Sequence, residues 1–225
     1  MTHVSNNSVK QQYSCRKMNK ENEQPIESKI LEAAKRVFVR KGFEATKMGE
    51  IATEAGIGRT ALHYYYRTKD MLYDAIFEQL IDKLLPNIAS IIDSDMPIFE
   101  KIERVVKSYA ETLLKNPLFP VFAVSEVNRD PQRIYHAVLH DEEKIKILLK
   151  LRTTLLQEME AGNLRKIPLH YVATTVISLL VFPMLVRRPM TDMFLEGDSS
   201  HYDAFLEERV PFVIEIIRNM LMPTK

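Results

Sequence analysis

The most informative stretch of the sequence is Thr46–Lys69, TKMGEIATEAGIGRTALHYYYRTK. Four apolar residues in its first half recur at spacings of three and four, which places them on one face of a helix: Met48, Ile51, Ala52 and Ala55. We expect Thr46 to cap the start of this helix. Gly56 is expected to end it, because glycine adopts the left-handed backbone angle that stops a helix without a steric clash.

A second short helix is predicted directly after this glycine turn, and most of its side chains should face outward. Between residues 59 and 66, only Leu62 and one or two of the tyrosines are needed for a core. Two short helices joined by such a turn indicate a helix-turn-helix, with Arg59–Tyr66 as the recognition helix. Its exposed hydrogen-bond donors suit a DNA major groove. The alternative, a helical hairpin buried in a core, is disfavoured because four consecutive aromatic side chains with polar edges are not expected there.

The sequence around this motif resembles a known family. Residues 28–76, SKILEAAKRVFVRKGFEATKMGEIATEAGIGRTALHYYYRTKDMLYDAI, are similar to the N-terminal DNA-binding domain of the TetR/AcrR family of bacterial transcriptional regulators. The matching positions are Ala33, Ala34, Phe38, Gly42, Phe43, Ala45, Thr46, Ile51, Ala52, Ala55, Gly56 and the block from Leu62 to Leu72. The similar segment covers about 50 of the 225 residues. Ala61 and His63 depart from the family pattern, which usually has a small hydroxyl residue and an aromatic residue there.

The resemblance implies a ligand-responsive transcriptional regulator of the repressor kind that binds a palindromic operator as a dimer. By family position, the side chains expected to meet DNA phosphates are those of Thr46, Lys47, Tyr65 and Lys69. The side chains expected to face the groove are those of Arg59, Thr60, His63 and Tyr64. The family dimerises through its last two long helices. The alternative is a DNA-binding adaptor or architectural protein whose C-terminal domain binds a protein partner and no small molecule.

The glycine distribution favours an all-α chain. Four of the six glycines fall within seventeen residues of the motif region, which leaves long glycine-free stretches elsewhere. We predict a disordered tail at 1–24, a three-helix helix-turn-helix domain at 25–70, and a larger helical domain for ligand binding and dimerisation at 71–225.

The predicted helices follow from caps, prolines and apolar periodicity. The first helix should begin after Pro25 and close at Gly42. A long connecting helix should start at the N-cap Thr68, with a kink or break at Pro86. Further helices are predicted from Pro97 to about Lys115, at 121–128, from Pro131, at 141–160, at 169–186 and at 201–222.

The segment at 169–186 is the most apolar run, and a membrane span is one interpretation of it. It holds eighteen residues, whereas a span needs about 20, and it includes His170 and Pro183. We expect it instead to be buried between the core of its own subunit and a partner subunit. Together with the last helix it would form a four-helix bundle in a homodimer.

Charge and cysteine content agree with a DNA-binding protein of the cytoplasm. The net charge is only +1, but residues 1–70 carry 13 Lys and Arg against 8 Asp and Glu. Basic charge therefore lies on the motif end, where phosphates would be neutralised. Cys15 is the sole cysteine, so an internal disulfide is impossible.

Family resemblance also implies a cavity in the second domain, under the connecting helix. Its candidate lining residues are Tyr109, Phe119, Phe122, Glu126, His136 and His170. Apolar walls with few polar anchors predict a small, largely hydrophobic effector.

No feature of the sequence indicates an enzyme or a cofactor. There is no glycine-rich phosphate loop, no nucleophile elbow and no paired-cysteine metal site. The strongest metal candidate is His136 and His140 beside Asp141 and Glu142. A solvated helix end explains this group better, because spacing fixes no third ligand.

Overall fold

The computed structural model describes residues 25–130, 132 and 141–223, and within these ranges every regular element is an α-helix. The N-terminal helices are α1 (Ile26–Lys41), α2 (Met48–Glu54) and α3 (Arg59–Tyr65). The helices that follow are α4 (Lys69–Asp93), α5 (Ile98–Leu114), α6 (Phe119–Arg129), α7 (Glu142–Glu160), α8 (Leu169–Leu185), α9 (Arg187–Phe194) and α10 (Ser199–Leu221). The all-α prediction is confirmed. The predicted tail at 1–24 and the helix from Pro131 lie outside the described residues.

Two glycines set the corners of the first three helices. Gly42 has φ +78° and its N–H donates to the Phe38 carbonyl at 2.8 Å, so α1 closes where the sequence predicts. Gly56 has φ +69° and ends the turn after α2, as expected. Ile57 follows it and packs against the core. Both glycines hold a backbone conformation that side chains with a Cβ rarely adopt.

The prediction that Thr46 caps α2 is wrong by one residue. Lys47 occupies the cap position, and its backbone N–H donates to Glu50 Oε2 at 3.1 Å. The Thr46 hydroxyl instead donates to the Gly42 carbonyl at 2.6 Å, and its side chain is buried. Thr46 thus fixes the α1–α2 turn, while Glu50 satisfies a free N–H at the start of α2.

The connecting helix α4 begins as predicted but does not end as predicted. The Thr68 hydroxyl accepts the Met71 N–H at 3.2 Å, which confirms its capping role. Pro86 lies inside α4, which continues to Asp93. Proline removes one backbone donor, but Leu84, Leu85 and Ile88 around it are buried. This packing offsets the lost hydrogen bond, because tertiary contacts supply most of the stability of helices in proteins.

Six aromatic side chains from both halves of the molecule meet in one cluster, which we call the aromatic joint: Phe38, Phe43, Tyr73, Phe77, Phe119 and Phe122. The Tyr73 and Phe122 rings stack with centroids 4.1 Å apart. Phe38 meets Tyr73 edge-on at 5.1 Å, and the Arg129 guanidinium lies 3.8 Å from the centre of the Phe43 ring. Through this joint α1, α4 and α6 share a single core.

The remaining helices build the larger C-terminal part of the fold. Helix α10 packs along α8, where the Arg209 Nε donates to the Leu179 carbonyl at 3.0 Å and the Tyr202 hydroxyl donates to the Pro183 carbonyl. Helix α9 was missed by the sequence analysis, because Arg187, Arg188 and Pro189 read as a polar break after the apolar run.

The membrane-span alternative finds no single helix to support it among the described residues. Only α8 and α9 taken together are long and apolar enough, and they are bent by 73° at their junction.

The aromatic joint predicts a large stability cost for Phe122→Ala. The Phe122 side chain is 1% exposed, so its truncation should lower the free energy of unfolding by about 3–5 kcal/mol. Urea denaturation followed by circular dichroism measures the change. Tyr64→Ala is the matched control: its ring is 84% exposed, so its cost should stay within about 0.5 kcal/mol. Equal costs for the two variants would contradict the joint.

Candidate nucleic-acid interface

Helix α3 is held by one edge and presents the other to solvent. Leu62 is fully buried, and the buried Tyr66 donates its hydroxyl to Glu27 Oε1 of α1 at 2.9 Å. Burial and the nearby Glu27 carboxylate raise the pKa of Tyr66, so this phenol stays a donor. The side chains left exposed are those predicted to face outward: Arg59, Thr60, His63 and Tyr64, with Tyr65 beside them. The structure thus positions these five together on one surface.

A polar cleft separates α2 from α3, and Arg59 reaches into it. A Cβ added to Gly49 would lie 2.8 Å from the Arg59 Cζ, which means that the guanidinium rests against the bare backbone of α2. The cleft is also lined by Arg40, Lys41, Lys47, Glu50, Thr53 and Glu54. Glycine is therefore needed here for a close approach and not for its backbone angle.

Both carboxylates of this cleft are neutralised from α1. Lys41 hydrogen-bonds Glu50, and this bond lowers the pKa of Glu50. Arg36 and Arg40 bind Glu54 at 2.8 and 3.1 Å and lower the pKa of its carboxyl. In the described part of the chain, neither Lys47 nor Arg59 forms an ion pair. The cleft therefore keeps uncompensated positive charge beside α3.

Two of the predicted phosphate contacts are committed to internal hydrogen bonds. Thr46 is 1% exposed and bonded to Gly42, so its side chain does not reach solvent. The Lys69 ammonium donates to the carbonyls of Phe43 and Glu44 at 2.8 and 3.2 Å. Both side chains stabilise the α1–α2 turn, which the sequence pattern could not indicate. Lys47 and Tyr65 remain exposed.

Arg67 is an exposed cation that sequence reasoning left out of the site. It follows α3 directly and forms no ion pair with a described residue. Its position in the sequence, directly after the recognition helix and two residues before Lys69, could have indicated a phosphate contact.

Two of the residues predicted for the ligand pocket line a cavity in the C-terminal part, and two others do not. A cavity of about 530 Å³ lies between α4, α5, α7, α8 and α10, and both Tyr109 and His170 line it. Phe119 and Phe122 do not line it, because they are buried in the aromatic joint. The helix that bears them turns its aromatic side chains toward α1 and α4. The Glu126 side chain and all of His136 lie outside the described part of the structure.

The cavity walls are almost entirely apolar. They include Leu84, Ile88, Ile92, Ile102, Val105, Leu148, Leu155, Val172, Val176, Ile217 and Leu221. Tyr109 supplies a polar group, and burial raises its pKa to about 12, so its hydroxyl is a neutral donor at physiological pH. A volume of this size is within the range of small-molecule sites, which is about 300–1,000 Å³.

The histidines of the metal candidate predicted from the sequence, His136 and His140, lie outside the described residues. Among the residues that are described, no group of three possible ligands could hold a metal ion.

Comparisons with known sequences match the N-terminal part of the chain, which carries this surface. Residues 30–76 match the family model described as bacterial regulatory proteins, tetR family. The HTH-type transcriptional regulator YfiR of Bacillus subtilis (strain 168) is 37% identical over 67 residues, 30% of this chain and 33% of YfiR. The regulator RutR of Escherichia coli (strain K12) is 35% identical over 69 residues, 31% of this chain and 32% of RutR. The match thus spans about a third of the length of these relatives.

A solved structure extends the fold similarity over most of the chain. A TetR family transcription regulator from Marinobacter aquaeolei VT8 superimposes with a TM-score of 0.61. The alignment covers 88% of this chain and 96% of that one, at 19% sequence identity. The C-terminal helices therefore share the arrangement of that protein, while their side chains differ.

The close approach of Arg59 to Gly49 predicts that Gly49→Ala displaces the Arg59 side chain, and so weakens DNA binding without lowering the stability of the fold. Alanine favours a helix over glycine by roughly 0.5–1 kcal/mol, and the flexible Arg59 side chain can move aside. We expect unchanged or higher stability in urea denaturation but weaker binding to duplex DNA in fluorescence anisotropy. The double variant with Arg59→Ala should bind no more weakly than Arg59→Ala alone. Additive losses would show that Arg59 is not the group displaced.

Proposed function

Because this chain belongs to the TetR family of bacterial regulatory proteins, we propose that it is a transcriptional repressor that binds a palindromic operator as a homodimer. A small, largely hydrophobic effector bound in the cavity releases the DNA. The observation that carries this proposal is the exposed polar surface of α3 beside an uncompensated basic cleft.

In this proposal, α3 enters the major groove and its exposed side chains read base edges. Thr60, His63 and Tyr64 lie on the open side of the helix, and each can exchange hydrogen bonds with bases. Arg59 stands at the first position of α3, where its exposed guanidinium, held against the Gly49 backbone, would bind a guanine bidentately. Such N-terminal residues of a recognition helix are the ones that contact bases in helix-turn-helix proteins.

The phosphate contacts are assigned to exposed polar side chains that form no ion pair with a described residue. These are Lys47 at the start of α2, Tyr65 on α3 and Arg67 after it. Thr46 and Lys69 are assigned a positioning role, since their hydrogen bonds hold the turn that carries Lys47. Phosphate contacts set affinity and orientation, and base contacts set sequence choice.

The homodimer is proposed to form through α8 and α10. Apolar side chains remain exposed along both helices, among them Tyr171, Ile177 and Phe182 on α8 and Phe212 on α10. Large exposed apolar surfaces of this kind are typical of protein interfaces. An isologous pairing of two such helices from each subunit gives a closed four-helix bundle.

The cavity favours an effector-controlled regulator over a DNA-binding adaptor without a ligand. Its walls include α4, whose first turns belong to the core of the DNA-binding domain through Leu72, Tyr73 and Ile76. A ligand that fits better when α4 shifts would change the separation of the two recognition helices. Two half-sites on one face of DNA lie about 34 Å apart, so a changed separation lowers operator affinity.

Selection of bound fragments from a random duplex library tests the proposal directly. The full chain should enrich a palindrome with half-sites one helical turn apart. Recovery of random sequence would overturn specific recognition.

Lys47→Ala should weaken binding to the selected operator and to unrelated DNA to a similar extent. Loss of one phosphate contact should reduce the slope of log affinity against log salt by about one unit. Tyr64→Ala should instead cost about 1–3 kcal/mol on the operator and much less on unrelated DNA. Anisotropy titrations at several salt concentrations measure both. Lys107→Ala on α5, exposed and away from this surface, is the control.

A further inference from the structure

The polar groups of the cavity are unusual in charge. Among its described lining residues there is no Asp or Glu, whereas Lys101, Arg152 and His170 are all basic or able to become so. An apolar cavity whose described lining offers basic side chains and no acidic ones discriminates between ligands by the sign of their charge.

These basic groups are not equally available to a ligand. The Lys101 ammonium donates to the Ile92 carbonyl at the end of α4 at 2.8 Å, so it is already engaged. Arg152 is exposed on α7 and forms neither an ion pair nor a hydrogen bond with any described residue. His170, in the first turn of α8, is exposed as well. Arg152 therefore stands at the solvent-facing side of the cavity, and no described residue accepts a hydrogen bond from its guanidinium.

We infer that the effector is an anionic amphiphile, a straight-chain carboxylate whose apolar tail fills the cavity and whose carboxylate binds Arg152, with His170 nearby. The inference rests on the proposed effector role of the cavity and gives that effector its chemical class. A guanidinium presents a planar fork of donors that matches a carboxylate in two parallel hydrogen bonds. The tail would lie against the apolar side chains of Leu84, Ile88, Val105, Leu148 and Val176.

Tyr109 agrees with this assignment. Its hydroxyl is neutral and it lines the same cavity, so it adds no negative charge that would repel an anion. A cationic amphiphile would find no carboxylate among the described lining residues to offset the loss of its hydration.

The test compares three straight-chain series of matched length on the full chain: carboxylates, alcohols and amines, each below its micelle concentration. Isothermal titration calorimetry measures affinity without DNA, which suits a chain that has no tryptophan. We expect carboxylates to bind about tenfold more tightly than alcohols, because hydrogen bonds to charged groups are stronger than neutral ones. Amines should bind most weakly. Affinity should rise about fourfold for each added methylene until the tail fills the cavity.

Variants at the head-group position separate this assignment from general hydrophobic binding. Arg152→Gln should lower carboxylate affinity about tenfold and leave alcohol affinity unchanged. Arg152→Lys should restore part of the loss. Lys146→Gln is the matched control, since it removes one positive charge from the same helix at an exposed site outside the cavity. Its carboxylate affinity should equal that of the wild type.

The outcomes distinguish the ligand class from the regulatory role. Equal binding of carboxylates and alcohols, or absence of binding by both series, would overturn the anionic assignment. Arg152-dependent carboxylate binding that leaves operator affinity unchanged in anisotropy would support the assignment and overturn the effector role. Release of operator by alcohols and carboxylates alike would preserve the effector role and overturn the inference.

Discussion

The stacking of Tyr73 on Phe122, 4.1 Å between ring centroids, is the contact on which the rest of the structure depends. Tyr73 lies on α4 and Phe122 on α6, and Phe38 of α1 packs against both rings. The helix-turn-helix domain is small and has a limited core of its own. By sharing these rings with α6 it gains buried apolar area and a fixed orientation on the larger domain. Arg129 extends the same contact to the α1–α2 turn by lying over Phe43.

This shared core gives the proposed regulation a physical basis. The cavity and the aromatic joint both use α4, the first near Leu84 and Ile88 and the second at Tyr73 and Phe77. Packed interiors resist continuous deformation, so under the proposed regulation a shift of α4 at the cavity would change the orientation of α1. The exposed edge of α3 moves with it, because Tyr66 is tied to Glu27 on α1. Ligand and DNA would then be linked through one set of contacts.

Local signals in the sequence predicted the DNA-binding domain well, and long-range packing explains the misses. Gly42, Gly56 and Thr68 act through their own backbone or cap geometry, so their roles are readable from neighbouring residues. Family resemblance assigns Phe119 and Phe122 to the cavity, and nothing local in the sequence shows that α6 meets α1 instead. The break allowed at Pro86 does not occur for a similar reason: buried neighbours hold α4 together. The apolar periodicity that predicts α7 does not include Arg152, and nothing local in the sequence shows that this side chain lines a cavity.

The most direct test of the coupling measures the operator affinity of the Phe122→Leu variant. Phe122 lies on α6, in the C-terminal part of the chain and outside the recognition helix α3. Leucine keeps the site apolar but removes the ring stack, so the orientation of the DNA-binding domain should become less fixed. The account predicts that affinity for the selected operator falls by roughly 0.5–2 kcal/mol while affinity for unrelated DNA stays unchanged. Phe99→Leu on α5, outside the joint, should leave both unchanged. The account would be contradicted if the Phe122→Leu variant were less stable than the wild type but bound the operator with the same affinity.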